Sequence, residues 1–528
     1  MASGPLIVCF RLSIRMCPSV RVKLDSMPLV GAVGRKRARS RFAMGVLYVL
    51  LSLGALTTLY PFLIMVSTGF KGPTDQNDNK LIPSYWREEP ALVEKYIDDK
   101  YAGNAGMIAA MNREGDPAHV AAWNEVLAGL EPDEWIAGFR VPPNGVTSRL
   151  NLRWQGWLRD RYKTIESVNS KYIELNAAFQ NVSPPPELLD RPGWQPNPGA
   201  KWNDWLEFKR TLPAEFRIPI TRQRLYQEWL RGKYKNNLSD VPEELKGGAD
   251  AFETIALAPD PPPEFLEKGI PAHLVSRGVD HVWPGSMPIR TADENYAKTH
   301  PGELRREFSR RNYAWVLDYI LLNGRALTNT LIFCALAILV QLIVNPLAAY
   351  ALSRFPMRAT AQILLFLLAT MAFPAEVAMI PSFLLLKDLG LLNTFAALVL
   401  PAAASGYMIF LLKGFFDSLP REVFESGQID GAPETTMMLR IAFPLSRPVL
   451  GYLALLAFMG AYGAFMYAFL VAQSREMWTL SVFIYQLQGY APKPIMMAAI
   501  TLAALPTLIV FLFAQKVIMR GIVLPGER

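Results

Sequence analysis

Few residues of this 528-residue chain have a spacing that could support catalysis. Its four histidines show neither an HxxxH nor an HExxH spacing, so we do not expect a zinc site. The chain also lacks a GxxxxGKS or GxxxxGKT phosphate loop, so any ATP on which it depends must be bound by a separate protein. We therefore predict that the chain is not an enzyme and that it needs neither a cofactor nor a metal ion.

The most informative spacing lies in a loop from Arg421 to Pro444. A first helix should end near Asp430, because Gly431 can adopt the positive φ that closes many helices. Pro433 suits the first turn of a second helix, where its missing N–H costs nothing. The apolar face of this second helix is formed by Met437, Met438 and Ile441. Such a loop could dock a second protein, although an amphipathic connector at the membrane surface has a similar pattern.

Apolar stretches on both sides of this loop are long enough to cross a bilayer. A segment that crosses the bilayer must be helical, because lipid cannot form hydrogen bonds with exposed backbone groups. A helix that crosses a core of about 30 Å requires roughly 20 apolar residues. Five stretches contain no charged residue: Phe42–Phe70, Ala326–Ser353, Leu389–Leu412, Pro448–Ser474 and Pro494–Gln515. A sixth, from about Ala359 to Leu386, contains one acid. We predict an all-α polytopic membrane protein with six transmembrane helices.

The acid in the sixth stretch, Glu376, is a candidate functional residue, because a carboxylate in lipid costs several kcal/mol. It lies between Pro374 and Pro381, where a broken helix could face a solute cavity. Alternatively, it lies near the outer mouth of the protein and reaches water. Asn345 and Tyr462 complete our set of candidate solute-path residues, although Asn345 could equally form a hydrogen bond between helices.

The basic residues indicate the orientation of the chain. Much of the net charge of +8 lies in the tail of residues 1–41, so both termini should be cytoplasmic if six spans follow. The basic residues of the loop 421–444 then lie on the same side. A charge this modest does not suggest nucleic acid as a partner, and the apolar spans make membrane lipid the expected surroundings.

A long insertion, residues 72–312, separates the first span (42–71) from a five-helix remainder (313–528) and should lie outside the cytoplasm. It is expected to be mainly helical, because amphipathic segments alternate with proline breaks. The predicted helices include Ala91–Lys100, Ala118–Leu130, Asn151–Phe179 and Ile220–Lys235. The sequence of Trp157–Lys163 is similar to that of Trp229–Lys235, which suggests a duplicated helical unit.

The loop of residues 421–444 resembles the EAA loop of ATP-binding-cassette (ABC) importer permeases. That loop reads Glu-Ala-Ala, three residues, Gly, nine residues and Ile-x-Leu-Pro. Nine residues separate Gly431 from Ile441 here, as the pattern requires. The resemblance implies that the ATPase-coupling residues are Glu425, Ser426, Gly427, Asp430, Gly431, Ala432, Ile441 and Pro444.

The spans most resemble those of the maltose-type carbohydrate permeases, for example at Ser67–Lys71 and Ala348–Arg354. This resemblance implies a multi-pass permease in the bacterial inner membrane, with the insertion in the periplasm. It also implies three protein partners: a second permease subunit, ABC ATPase subunits that bind the loop 421–444, and an extracytoplasmic solute-binding protein.

Two other functions fit parts of the sequence. The first is an ABC permease for a non-sugar solute, such as a polyamine, a phosphonate or a peptide. The second is a membrane-anchored receptor or scaffold that acts through the insertion and needs no ATPase. The insertion of a permease could itself be a docking or gating cap for the solute-binding protein, or a passive decoration.

Overall fold

The computed structural model describes residues 38–72, 75–102, 104, 107–108, 111, 116–140, 148–283, 285–322, 325–355, 357–489 and 491–521. Residues 1–37 of the predicted basic tail lie outside these ranges, and so do residues 522–528. The chain divides into two units, Met1–Met65 and Val66–Arg528. Helix α1, Ala38–Gly69, begins in the first unit and ends in the second.

Helix α1 is apolar over 26 residues, Met44–Gly69, with a mean hydropathy of 2.0. In the first unit, the Thr57 hydroxyl donates to Gly54 O at 2.8 Å and the Thr58 hydroxyl donates to Ala55 O at 2.9 Å. Bonds of this kind allow threonine to face lipid, because each hydroxyl proton is paired within the helix. The helix corresponds to the first predicted span.

The inserted segment folds mainly into helices, as predicted. Its longer helices are α2 (Glu89–Lys100), α3 (Val120–Gly129), α4 (Arg149–Tyr162), α5 (Ile165–Tyr172), α6 (Ala200–Arg210), α7 (Arg222–Lys233), α8 (Ile289–Thr299) and α9 (Pro301–Leu317). Four shorter helices are Glu243–Lys246, Pro263–Lys268, Ala272–Val275 and Val279–Val282. Strands β1 (Trp135–Ala137) and β2 (Arg217–Pro219) pair antiparallel, with Ile136 opposite Ile218.

Aromatic side chains form the main core of the insertion. Its largest fully buried side chains include Trp123, Trp135, Trp154 and Trp205. The ring of Trp154 stacks on Trp157 with centroids 5.5 Å apart and meets Trp205 edge to face at the same distance. Aromatic residues bury a large area with few rotatable bonds, so they can build a core without the disulfides that this segment lacks.

A buried ion pair fixes α6 against the strand β1. Lys209 Nζ lies 2.6 Å from Glu187 Oε1, and both side chains have zero exposure. Lys209 Nζ also donates to Trp135 O at 2.5 Å, while Glu187 Oε2 accepts the N–H of Ala137 and a guanidinium N–H of Arg140, both at 3.0 Å. Each charge therefore has several partners, which is the condition under which a buried ion pair is tolerated.

One predicted helix of the insertion is wrong in its extent. Residues 151–179 do not form one helix, because the chain breaks at Lys163 (φ +61) and the second helix, α5, ends before Ile173 (φ +58). The break has a local cause: the Thr164 hydroxyl accepts the N–H of Ser167 and caps α5. Lys163 and Lys235, which end the two similar segments, both have positive φ, although the helices end at Tyr162 and at Lys233.

Helix α9 leads from the insertion back to the membrane helices. Asn312 Nδ2 donates to Gly69 O at 2.9 Å and to Lys71 O at 2.6 Å. The Tyr313 hydroxyl donates to Val66 O at 3.0 Å. These bonds join the end of α1 to the middle of α9, so the chain enters and leaves the insertion at one braced junction.

The remaining helices are largely apolar and are often broken. The longer ones are α10 (Ala326–Arg354), α11 (Thr360–Met371), α12 (Ala375–Asp388), α13 (Gly406–Asp417), α14 (Arg421–Ile429), α15 (Arg447–Tyr462), α16 (Leu480–Leu487) and α17 (Lys493–Gly521). The shorter α-helices are Phe395–Val399, Glu434–Met437, Phe443–Leu445 and Phe465–Val471. Among the described residues, three helices are long and apolar enough to cross a membrane, or up to six spans if each bent pair counts as one. The all-α class is confirmed, and the number six stays a prediction.

Two predicted spans differ from the structure in their extent, and both differences have local causes. Residues 389–394 are not helical, because Gly390 (φ +68) and Asn393 (φ +60) take left-handed conformations. The segment predicted to span the membrane at 448–474 is also interrupted, since α15 ends at Tyr462 and a short helix, Phe465–Val471, follows. The three bent pairs of helices break elsewhere: between Met371 and Glu376, between Ala402 and Gly406, and between Leu445 and Arg447. Each bend exceeds 40°, which hydropathy alone does not reveal.

Helix α9 and the insertion both pack on the last span. Trp315 and Val316 at the end of α9 are buried in one cluster with Ile495 and Met496 of α17. Ala178, from the segment after α5, is buried in the same cluster. The insertion is therefore attached to the membrane helices through packed side chains as well as through the chain itself.

Candidate functional site

The first half of the loop 421–444 ends in a Schellman motif. Gly431 has φ +72, and its N–H donates to Gln428 O at 3.0 Å. The N–H of Ala432 donates to Gly427 O at 2.9 Å. These two bonds satisfy carbonyls that the helix end would otherwise leave unpaired. The predicted helix end near Asp430 and the positive φ of Gly431 are confirmed.

The second half of the loop is a chain of short helical turns. It consists of the helix Glu434–Met437, the π-helical turn Met438–Ala442 and the turn Phe443–Leu445. Pro433 has φ −69 and ψ 155 and precedes the first helical residue. The prediction that Pro433 lies in the first helical turn is wrong by one residue, because Pro433 takes the extended conformation of an N-cap.

The apolar face of the second half packs against the first half. Met437 is 2% exposed and lies in one cluster with the buried Phe424. A Cβ placed on Gly427 would lie 3.5 Å from Ile441 Cδ1 and from Met437 Sδ, which is ordinary contact distance. The apolar face is thus covered by this chain itself, and an alanine at position 427 would fit.

Four side chains, which we call the α10 latch, attach the loop to the end of α10: Tyr350, Arg354, Phe424 and Glu434. The Tyr350 hydroxyl donates to Glu434 Oε2 at 2.9 Å, and the Arg354 guanidinium lies 3.6 Å from the centroid of the Phe424 ring. Sequence reasoning missed the latch. The available signal was the four-residue spacing of Tyr350 and Arg354, which places both on one face of a helix.

The predicted coupling residues fall into two sets. The exposed set is Glu425, Ser426, Asp430 and Gly431, and the partly buried set is Gly427, Ala432, Ile441 and Pro444. No atom lies within 4 Å of a Cβ placed on Gly431, and the neighbouring Ile429 is 87% exposed. The partly buried set lies on the packed side of the loop, while the exposed set presents two acidic side chains beside the apolar side chain of Ile429.

A cavity of about 370 Å³ lies among the membrane helices and is mostly apolar. Polar groups reach it from Gln341 on α10, Ser382 on α12 and Tyr467. The Tyr467 hydroxyl donates to Ala397 O at 2.7 Å, whereas Gln341 Oε1 is buried without a hydrogen-bond partner in the part of the chain that the structure describes. A buried amide oxygen of this kind can accept a hydrogen bond from a solute hydroxyl.

The three predicted solute-path residues are not among the described residues that line this cavity. Glu376 is exposed in the first turn of α12, directly after Pro374 and Ala375. Asn345 is fully buried, and its Oδ1 accepts the N–H of Ser405 at 2.8 Å, which ties α10 to the start of α13. The Tyr462 hydroxyl donates to Ala503 O at 2.5 Å. Their contact with a solute stays a prediction.

Metal binding has no candidate in the described ranges, where no group of three or more His, Cys, Asp or Glu could hold an ion. Cys334 is buried as a free thiol in α10. The described residues thus present two candidate features, the partly exposed loop 421–444 and the mostly apolar cavity at Gln341.

Several known proteins are similar to this chain. Protein LplC of Bacillus subtilis is 34% identical over 201 residues, which cover 35% of this chain and 68% of that protein. The polygalacturonan/rhamnogalacturonan transport system permease YtcP of Bacillus subtilis is 32% identical, covering 35% and 70%. The trehalose/maltose transport system permease MalG of Thermococcus litoralis is 33% identical, covering 40% and 78%.

A crystal structure of a bacterial ABC transporter involved in alginate import aligns with 25% identity and a TM-score of 0.36, covering 39% of this chain and 78% of that chain. Residues 345–523, which contain the whole loop 421–444, match the family described as the binding-protein-dependent transport system inner membrane component. The chain therefore belongs to this family of ABC importer permeases and is a multi-pass inner-membrane protein.

Proposed function

We propose that the chain is the transmembrane permease subunit of an ABC importer for a sugar or an oligosaccharide. Relatives named for polygalacturonan/rhamnogalacturonan transport and for trehalose/maltose transport support this solute class. Alternating access requires a solute cavity among the spans and a mechanical connection to a separate ATPase. The cavity at Gln341 and the loop 421–444 are our candidates for these two parts.

The observation that carries the proposal is the geometry of the loop. Its hinge at Gly431 is closed by two backbone hydrogen bonds, its inner face is packed, and its outer face is free. Such a loop can dock in a groove of an ATPase as a rigid body. Because the α10 latch holds both halves of the loop, a displacement by the ATPase is transmitted to α10. ATP binding then biases the spans between two states.

We further propose six spans, with both termini in the cytoplasm and residues 72–312 outside. Counting each bent pair of helices as one span supports the number six. The basic residues Arg421, Arg440 and Arg447 beside the loop support its cytoplasmic location, since cytoplasmic loops are enriched in arginine and lysine. The basic tail of residues 1–41 would lie on the same side.

The proposed partners are a second permease subunit, ABC ATPase subunits and an extracytoplasmic solute-binding protein. We assign the insertion to the last of these, as a docking or gating cap. The burial of Ala178 of the insertion in one cluster with Ile495 of the last span supports this assignment, because a force on the insertion would reach that span through packed side chains. A passive decoration would need no such contact.

The coupling proposal is tested by Gly431→Asp, which adds a charge on the outer face of the hinge. Gly390→Asp is a matched control: Gly390 also has positive φ (+68), and a Cβ there also meets no atom within 4 Å. We expect Gly431→Asp to abolish uptake and coupled ATPase activity in an inserted, assembled complex, and Gly390→Asp to retain both. Normal uptake by Gly431→Asp would contradict the docking site.

The topology is tested by labelling single cysteines at Asn236 and Ser426 with a membrane-impermeant thiol reagent. Cys9 and Cys17 are replaced by serine as background, and Cys334 is buried. The two positions should react from opposite sides of the membrane. Reaction of both from the same side would contradict the proposed spans.

The cap is tested by replacing residues 72–300 with a short flexible linker, which leaves helix α9 whole. Loss of ATPase stimulation by the binding protein, with the complex still assembled, is the expected result. Unchanged stimulation and uptake would contradict the cap.

A further inference from the structure

The insertion presents two fully exposed apolar side chains just after α5. Ile173 is 93% exposed and Leu175 is 102% exposed. The polar residue between them is turned to the protein instead: the Glu174 carboxylate accepts from Lys201 Nζ at 2.7 Å and from Asn176 Nδ2 at 2.9 Å. Apolar side chains thus face outward and the polar one faces the protein, whereas in a turn exposed to water the polar side chains face solvent. We call residues 173–175 the apolar tip.

Hydrogen bonds hold the apolar tip in one shape. Asn169 Oδ1 accepts the N–H of Asn176 at 2.9 Å, and Asn169 Nδ2 donates to Asn176 O at 2.8 Å. The N–H of Glu174 also donates to Asn169 O, at 3.1 Å. A turn closed in this way loses little further conformational freedom when it contacts a partner, so its exposed side chains are pre-organised for binding.

The backbone of Ile173 is strained. It has φ +58 and ψ 46, the left-handed region, which is unfavourable for a β-branched residue and which glycine or asparagine adopts readily. The side chain of Ile173 is almost fully exposed, so packing inside this chain does not account for an isoleucine there. Strain of this kind is typical of functional segments, and we infer that the side chain has a partner outside the chain.

The apolar tip lies close to the ends of two membrane helices. Ala178, three residues after Leu175, is 2% exposed and is buried in one cluster with Ala326 and Ile495. Ala326 is the first residue of α10, and Ile495 is in the first turn of α17. Three residues reach at most about 11 Å. The tip is therefore within reach of the level at which these helices enter the bilayer.

We propose that Ile173 and Leu175 insert into the interfacial region of the outer leaflet and anchor the insertion to the lipid surface. Exposed apolar side chains beside basic ones are typical of segments that bind such surfaces, and Lys171, two residues before Ile173, is exposed. The anchor limits tilting of the insertion relative to the spans. It rests on the proposed location of the insertion outside the cytoplasm.

The test uses the full chain in nanodiscs that contain phosphatidylglycerol, with Cys9 and Cys17 replaced by serine. A single cysteine at position 175 carries an environment-sensitive fluorophore, and a cysteine at Leu266 is the matched control. Leu266 is 51% exposed on the short helix Pro263–Lys268, beside a different hydrophobic cluster. We expect the emission at position 175 to shift to the blue and to be quenched by lipids that are spin-labelled near the headgroup. The label at position 266 should show neither effect.

Equal, water-like emission at positions 175 and 266 would overturn the anchor. A blue shift that needs the solute-binding protein would also overturn it and would identify a protein contact. Ile173→Gly relieves the strain, so it should leave thermal unfolding unchanged or raise the unfolding temperature while it reduces the quenching at position 175. Labelling of Asn236 reports separately on the proposed topology: if Asn236 reacts from outside and position 175 is not quenched, only the anchor fails.

Discussion

The insertion and the loop 421–444 use charged side chains in opposite ways. In the insertion, Lys209 and Glu187 have zero exposure and are surrounded by internal partners. In the loop, Glu425 and Asp430 are exposed on a backbone whose shape is set by glycine and by packed apolar residues. Buried charges therefore hold one region together, while the other keeps its charges available for a partner.

The electrostatics of the buried pair follow from this difference. Burial by itself would raise the pKa of the Glu187 carboxyl, but the positive charges of Lys209 and Arg140 outweigh it and hold the pKa below its usual range. Burial also lowers the pKa of the Lys209 ammonium, and Glu187 offsets part of this effect. Such a pair tolerates the loss of neither partner, whereas an exposed charge can be replaced at small cost in stability.

Among the variants that test this difference, Glu187→Gln should have the largest effect, a loss of stability of the insertion. The substitution leaves the Lys209 charge buried without its counter-ion, which typically costs about 3–5 kcal/mol of folding free energy. We expect a lower unfolding temperature of the insertion, measured by tryptophan fluorescence and limited proteolysis, with ATPase docking retained. Glu425→Gln is the exposed control and should not change unfolding. A loss below about 1 kcal/mol in Glu187→Gln would contradict a stabilising role of the pair.

The same pair predicts a pH dependence. Because the pKa of Glu187 is lower in the folded protein, its contribution is complete above the unfolded-state pKa and is lost as the pH falls through the folded pKa. We therefore expect the insertion to lose stability in the acid range, below the usual pKa of a glutamate. Acid titration of tryptophan fluorescence measures this loss, and the loss should be smaller in Glu187→Gln.

A smaller effect is expected from Tyr350→Phe, which removes the bond from the α10 latch to Glu434. A hydrogen bond to a charged group contributes about 1.5–3 kcal/mol, and less where it is partly solvated. Because the bond connects the loop to α10, we expect several-fold less uptake per ATP hydrolysed, with the complex assembled. Tyr485→Phe, at a tyrosine that is 48% exposed on α16, is the control. Equal uptake in both variants would mean that the latch does not transmit movement.

The smallest effect is expected from Gly427→Ala. Alanine favours a helix over glycine by about 1 kcal/mol, and the new Cβ would make only ordinary contacts with Ile441 and Met437. We expect a slight gain in thermal stability with unchanged uptake. A loss of uptake would show that a partner approaches the backbone at this position, which would extend the docking surface to the partly buried set.

Local features were predictable from the sequence. The hinge at Gly431 depends on a few neighbouring residues, and the apolar face with Met437 follows from helical spacing. The break between α4 and α5 was predictable in principle, because Thr164 is a good N-cap, but the amphipathic pattern continues past it and hides the break. From the sequence alone, Gln341 could not be distinguished from a residue that only forms a hydrogen bond between helices.

Features that depend on distant residues were not predictable. The α10 latch brings Tyr350 to Glu434 across 84 positions, and nothing in either local sequence indicates the other. The junction of Asn312 with Gly69 is of the same kind, separated by the whole insertion. Hydropathy located the membrane segments, yet it contains no information about the angle at which the two halves of a bent span meet.

Helix α9 has a mechanical consequence. Its 17 residues extend about 25 Å, and its C-terminal end is packed against the first turn of α17. The other half of α9 is buried in the insertion through Leu304 and Phe308, so α9 and the insertion should move as one lever arm. If α17 and α9 tilt together by roughly 10°, the Pro301 end moves by about 4 Å. A small rotation of the last span thus becomes a displacement that a protein outside the membrane could sense, and a push on that distant end becomes torque on the span.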